Sequence, residues 1–318
     1  MSDSGAGRAP SNLVPCTLYS GHYHLGVGAL ANSLYHSGFR GKICVGYEPP
    51  LPPWAATARQ LDGKALLDVA PAFTIEFIPW PSRRNMSLEK ARFLLHVLDE
   101  VAASATGVLH FDADIVVKST WAFFERWLER GVALCLDACY PLVPALHPWR
   151  QDWRDLAAAE GHAYRDLEYY ANSGFVGVSR RYREFAESWA TLIDRYVSQN
   201  SQMPNRVKFS AREEAFTGDQ DMLNAAMMAT DAPLSIIGRD GMDFTPGGFL
   251  MSHAVDDMKP WERNYIFSAL SGRPPLTADK TYWRFTEFPI RLFTPLRTAT
   301  TKSALRTASA IGRFYARR

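Results

Sequence analysis

Between residues 13 and 118 the hydrophobic pattern alternates between two periods. The largely apolar stretches at 13–19 (LVPCTLY), 42–48 (KICVGYE), 73–80 (FTIEFIPW) and 107–111 (GVLHF) read as strands. Helical spacing fills the intervals. The stretch GVGALANSLYHSG, 26–38, predicts a helix that stops at Gly38. SLEKARFLLHVLDEV, 87–101, predicts an amphipathic helix offering Leu88, Phe93, Leu94, Val97 and Val101 to one face. Strands alternating with helices predict an α/β fold with a mostly parallel sheet, whose ligands sit beyond the carboxyl ends of the strands.

Further along, WAFFERWLERG (121–131) reads as a helix, VALCLD (132–137) as a strand, and 174–179 as a short strand. Residues 180–199 and 219–229 read as two more helices. Residues 140–170, rich in Trp, His, Tyr and Pro, read as a long irregular segment, and a loop of that length is usually functional. With 318 residues, 47% of them hydrophobic, the chain can bury a large core as one domain or two fused halves. A formal charge of only +2 gives no global field for nucleic acid, so none is expected as a partner. The cysteines, Cys16, Cys44, Cys135 and Cys139, lack the spacing of a zinc site and read as small buried thiols of an intracellular protein. No run approaches the roughly 20 apolar residues of a membrane span, and the first residues lack the pattern of a secretory signal.

The chemistry concentrates in four stretches. FDAD, 111–114, places Asp112 and Asp114 at a strand's end, where two carboxylates can hold a hard divalent cation and leave its other side free for phosphate oxygens. Helix capping plus a solvated acid explains the same pair, and an EF-hand fails because Val116, Val117 and Phe123 stand where its ligands and glycine belong. Asn172, Ser173 and Gly174 precede an apolar run, as a turn into a strand would. Asp219, Gln220 and Asp221 open a helix with more polar groups than capping requires. HAVDDMKPW, 253–261, places His253 and Lys259 around a turn, a potential third metal ligand and a phosphate-binding cation, although a lone His is usually structural.

In this order the four stretches resemble the metal-dependent GT-A glycosyltransferases, most nearly the retaining family 8 group that includes glycogenin and lipopolysaccharide galactosyl- and glucosyltransferases. The resemblance spans roughly residues 13–262 and implies a divergent member. It implies a GT-A fold and Asp112, Asp114 and His253 as ligands of Mn²⁺ or Mg²⁺, with Lys259 on the diphosphate of a UDP-sugar. Asn172 and Asp219 would touch the donor sugar, Gln220 and Asp221 would lie near the anomeric carbon, and Lys90 or Arg92 would be a basic donor-binding residue. Tyr19, Ser20 and Tyr23 would cradle uridine. Asp256 departs from the family's glycine and, with Asp257, brings acid close to the diphosphate.

The implied activity is transfer of a hexosyl group from a UDP-sugar to a saccharide or lipid-linked glycan, with retention. The acceptor would lie against His147, Trp149, Trp153 and Tyr164, whose rings suit a sugar face and equally suit a core. Residues 1–12 are expected to be disordered. By the resemblance, residues 13–285 would form the transferase domain, with 13–118 as the nucleotide-binding half and 119–285 as the acceptor and catalytic half. The tail, 286–318, carries seven Arg and Lys beyond Phe288 among aromatics and no acid after it, which suits either an anionic membrane surface or a disordered soluble tail. The protein is therefore expected in the cytoplasm, free or peripheral at the inner membrane face. Two other readings use the same residues: a haloacid-dehalogenase-type phosphatase with Asp112 as nucleophile, and a nucleotide-sugar-binding module without turnover.

Overall fold

A computed structural model describes residues 11–159, 164–199 and 218–315. Its centre is a nine-stranded sheet, built from β1 (Leu13–Tyr19), β2 (Gly41–Tyr47), β3 (Arg59–Leu61), β4 (Lys64–Ala70), β5 (Phe73–Pro79), β6 (Gly107–Phe111), β8 (Val132–Leu136), β9 (Ala171–Ser179) and β10 (Leu234–Ile237). The strands lie in the order β10-β8-β9-β6-β1-β2-β5-β4-β3. All run one way except β4 and β9, whose pairings are antiparallel, so the sheet is mostly parallel as expected. Every residue of β1 and β6 is buried, which is why both strands are largely apolar, Thr17 and His110 apart.

Helices cover both faces. On one lie α2 (Lys90–His96), α4 (Pro148–Ala159), α5 (Arg183–Gln199) and α6 (Asp219–Ala229), packing Phe93, Trp153, Trp189 and Met222 into one core with Val108 and Val176. On the other lie α1 (His24–His36) and α3 (Trp121–Leu128), contributing Leu30, Leu34, Trp121 and Phe124. A third cluster gathers α7 (Tyr265–Leu270), α8 (Thr277–Tyr282) and α9 (Pro295–Tyr315) around Ala29 of α1 and Val116, with Trp261, Tyr282, Trp283 and Leu305 at its centre.

Several expectations change here. Residues 148–159, within the segment expected to be irregular, are the helix α4, and Trp153 is fully buried against Tyr170. Trp153 is core, so it cannot offer a face to an acceptor; Trp149 is half-buried and Tyr164 is exposed beside Arg154. The tail is not disordered over 295–315. It is a helix that buries Leu305 and Ala308 while leaving Leu296 and Phe314 in solvent. Cys139 is exposed, unlike the other three thiols, and all four are free. The expectation of a disordered start falls largely on residues 1–10, outside the described residues; Ser11 accepts a hydrogen bond from Trp121 Nε1 at 2.9 Å. Among the described residues no helix is long and apolar enough to cross a membrane.

Candidate metal and nucleotide site

The site begins where β6 ends. Asp112 N–H donates to Gly174 O at 2.7 Å, and Ile115 N–H closes a turn on Asp112 O at 3.0 Å. The chain then enters β7 (Ile115–Val117), which pairs antiparallel with β11 (Met251–His253), His253 opposite Ile115. This short ladder carries His253 to the aspartates across more than 130 residues of sequence, and Ala254 N–H fixes the end of it on Asp114 O at 3.1 Å.

Two glycines make the approach feasible. A Cβ on Gly174 would lie 2.4 Å from His253 Cε1 and 2.9 Å from Asn172 Oδ1. A Cβ on Gly26 would lie 2.0 Å from Ala113 O, so the first glycine of GVGAL serves the packing of α1 beneath the DAD turn, whereas Gly28 makes room for Leu292.

One ligand atom from each of Asp112, Asp114 and His253 lies within 4.8 Å of the others. His253 Nε2 stands 3.2 Å from Asp114 Oδ1 and 3.8 Å from Asp112 Oδ2, and its Nδ1 is buried without a partner among the described residues. Two carboxylates and an imidazole converging on one point suit Mn²⁺ or Mg²⁺.

Two lysines flank this triad. Lys90 Nζ lies 2.8 Å from Asp112 Oδ1 and 3.0 Å from Asp219 Oδ2, while Lys259 Nζ lies 2.9 Å from Asp114 Oδ2 and donates to Ala254 O at 2.8 Å. Burial alone would push both ammonium groups down, but the carboxylates outweigh it and hold them above their ordinary range. The same pairing runs in reverse for the acids. Burial pushes Asp112 and Asp114 up, and Lys90, His253 and Lys259 more than offset it, keeping both ionised.

Arg92 is not at the site. It forms a fork with Asp194 of α5 on the outer side of α2, Nε to Oδ1 at 3.1 Å, so Lys90 is the basic residue that α2 presents.

A cavity of about 550 Å³ opens over the triad, bounded by Tyr19, Ser20 and Tyr23 on one side and by Ser87 and Lys90 on another. Tyr19 stacks on Tyr47 at 6.1 Å, and its buried hydroxyl has no hydrogen-bond partner among the described residues. Tyr23 presents its ring to Lys259 Nζ at 5.8 Å. A second cavity of about 440 Å³ lies on the other side of His253, between Phe244, Asp256 and Asp279.

Asn172 and Gln220 belong to a separate cluster centred on Asp137, a residue the sequence did not single out. Between Leu134↔Val176 and Cys135↔Asn172, β9 carries three residues that β8 does not match, and this bulge throws Ser173 and Gly174 toward the DAD turn. Asp137, just past β8, accepts from Cys139 and Tyr140 N–H at 2.9 Å each, and from Asn172 Nδ2 and Gln220 Nε2 at 3.1 Å each. These donors outweigh burial and hold its carboxyl below the ordinary range. Gln220 Oε1 in turn accepts from Ser173 N–H at 3.3 Å.

Asp219 turns toward Lys90, whereas Asp221, on the same first turn of α6, accepts from the buried Tyr170 hydroxyl at 2.7 Å. The signal for Asp137 was available: an acid at the carboxyl end of a strand, the same placement that marks Asp112.

No family model matches the sequence, and no curated protein matches it. Solved structures do. A crystal structure of an active-site mutant of LgtC aligns over 84% of this chain and 93% of its own, at 15% identity and a TM-score of 0.51. The galactosyltransferase LgtC in complex with donor and acceptor sugar analogs aligns over 91% and 99%, at 14% identity and a TM-score of 0.52. At such identities the likeness carries the fold, and the chain has the GT-A arrangement that its motifs imply.

Proposed function

We propose that the protein is a glycosyltransferase that moves a hexosyl group from a UDP-sugar to a saccharide or lipid-linked glycan, with a divalent cation and with retention. The observation that supports this most is the convergence of Asp112, Asp114 and His253 between two buried lysines at the mouth of one cavity. A galactosyltransferase of the same fold, LgtC, is known with donor and acceptor sugar analogs bound.

Asp112, Asp114 and His253 would hold Mn²⁺ or Mg²⁺, which when bound supplies Lewis-acid stabilisation of a departing diphosphate. Tyr19, Ser20 and Tyr23 line the cavity where a uridine would rest, and Lys259 places a cation beside it for phosphate oxygens. Asp219 and Asn172 would touch the donor sugar. Asp137 accepts a hydrogen bond from Gln220 Nε2 and so sets which way the amide points, leaving the second lone pair of Oε1 for the positive charge of an oxocarbenium-like sugar. We assign that role to Gln220 rather than Asp221, whose carboxylate is engaged by Tyr170. The acceptor, the membrane contact through α9 and the division into donor and acceptor halves belong to the same proposal.

The phosphatase reading draws less support from the geometry. It needs Asp114 as a proton donor, and Lys259 and His253 hold that carboxyl ionised.

Thermal melting tests the proposal: Mn²⁺ with UDP should raise the midpoint above Mn²⁺ alone, and above Mn²⁺ with GDP, CDP or phosphate. Stabilisation by phosphate with Mg²⁺, and none by UDP, would sink it in favour of the phosphatase.

A further inference from the structure

We infer that His110 is a positioning residue for the metal site, holding the Asp112 carboxylate so that one oxygen, Oδ2, is left to the cation; this rests on the reading just proposed.

The ring lies on the interior of β6, fully buried, in register with Cys16 of β1. Its Nε2 is 3.3 Å from Asp112 Oδ1, and its Nδ1 is 3.9 Å from Cys16 Sγ. A carboxylate oxygen accepts only, so whichever charge the ring carries, Nε2 bears a proton and donates it to Asp112. In the neutral ring Nδ1 is then an acceptor, and the Cys16 thiol, which burial keeps protonated, is the donor that suits it. The chain of donors, Cys16 to His110 to Asp112, therefore runs in one direction toward the site.

The consequence lies in how the two Asp112 oxygens divide. Oδ1 receives Lys90 Nζ at 2.8 Å and His110 Nε2 at 3.3 Å, whereas Oδ2 is the oxygen that faces His253 Nε2, at 3.8 Å. A carboxylate tethered at one oxygen by two buried donors loses its rotation about the Cβ–Cγ bond. It meets a cation already oriented, and groups that orient ligands in this way commonly change metal affinity by about 10–100-fold. Packing alone would be met by an apolar side chain, as at Val108 on the same face of the strand.

Three variants separate positioning from packing. His110→Gln carries an amide nitrogen that reaches about where Nε2 lies, His110→Asn reaches only the Nδ1 position, and His110→Phe fills the space without a donor. Mn²⁺ binding by the purified proteins, read from the loss of the free-ion paramagnetic resonance signal, should be weakened about tenfold or more in the Asn and Phe variants. In His110→Gln it should stay within about threefold of the wild type, that substitution restoring the one donor. The inference is overturned if Asn and Phe bind Mn²⁺ like the wild type. It is equally overturned if Gln and Asn are weakened alike, since that pattern reports only a disturbed strand. Should His110→Phe fail to fold, the Gln and Asn pair decides alone. A wild type that takes up no Mn²⁺ overturns the metal site itself, whereas equally tight Mn²⁺ binding by all four proteins leaves that reading standing and removes only this one.

Discussion

Two carboxylate clusters lie side by side in this protein and are satisfied by different chemistry. Asp112 and Asp114 face groups that carry or can carry positive charge: Lys90, Lys259, His110 and His253. Asp137 is surrounded by neutral donors, two backbone N–H groups and two amides, all within 3.1 Å. Charged partners can be exchanged, since a cation takes the carboxylates while phosphate takes the lysines, with little net loss of pairing. Neutral donors fixed in backbone and amide cannot be exchanged in that way, and they make the second cluster a scaffold. Binding should depend on the first cluster and orientation of the reacting groups on the second.

The sharpest way to break that division is Asp112→Ala. It should abolish Mn²⁺-dependent stabilisation by UDP and lower transfer by about a thousandfold, the scale of several kcal/mol of lost charge stabilisation; unchanged turnover would refute the assignment. Lys259→Ala comes next. Removing one charged donor to phosphate should weaken UDP binding by about 10–100-fold, measurable by titration calorimetry, with Mn²⁺ affinity changed far less.

Asp137→Ala should do the opposite. It strands the buried amide of Asn172 and the half-buried one of Gln220, at a cost of about 1–3 kcal/mol, lowering the melting temperature and kcat while UDP binding holds, so a selective loss of UDP binding would dissolve the distinction between the clusters.

Acidification probes both clusters together. Asp112, Asp114 and Asp137 have folded pKa values below those of the unfolded chain. Their stabilisation is complete above the ordinary carboxylate value of about 4 and is lost as pH falls through the lower folded values. Urea unfolding at successive pH values should steepen below about pH 4, and Asp137→Asn should remove part of that slope. Smallest of all, Arg92→Ala removes an exposed pair with Asp194 and should cost no more than about 1 kcal/mol, with donor binding untouched.

Legibility in the sequence followed the range of the interactions. β1, β2, β5 and β6 were visible because burial along most of each strand leaves it largely apolar. The β3–β4 hairpin passed unnoticed because β3 is wholly exposed and β4 half so, leaving little hydrophobic pattern to read. Helix α4 was hidden by the Pro and aromatic content around it, and α9 by a basic composition that masked its buried Leu305 and Ala308. In the site, Asp112 and Asp114 were readable as a pair, while Asp137 stands alone and finds its amide partners 35 and 83 residues away. Sequence spacing also could not choose between Lys90 and Arg92. Two positions apart on a helix means roughly opposite sides, and only the packing of α2 decides which one faces inward.

Gly26 and Gly174 bear on how this protein tolerates change. Neither fills space; each sets the distance between two parts of the chain, α1 against the DAD turn and β9 against His253. In a saturation library selected for function, both positions should be emptied of every substitution, alanine included. The bulkier apolar residues around them should still accept exchanges of similar volume.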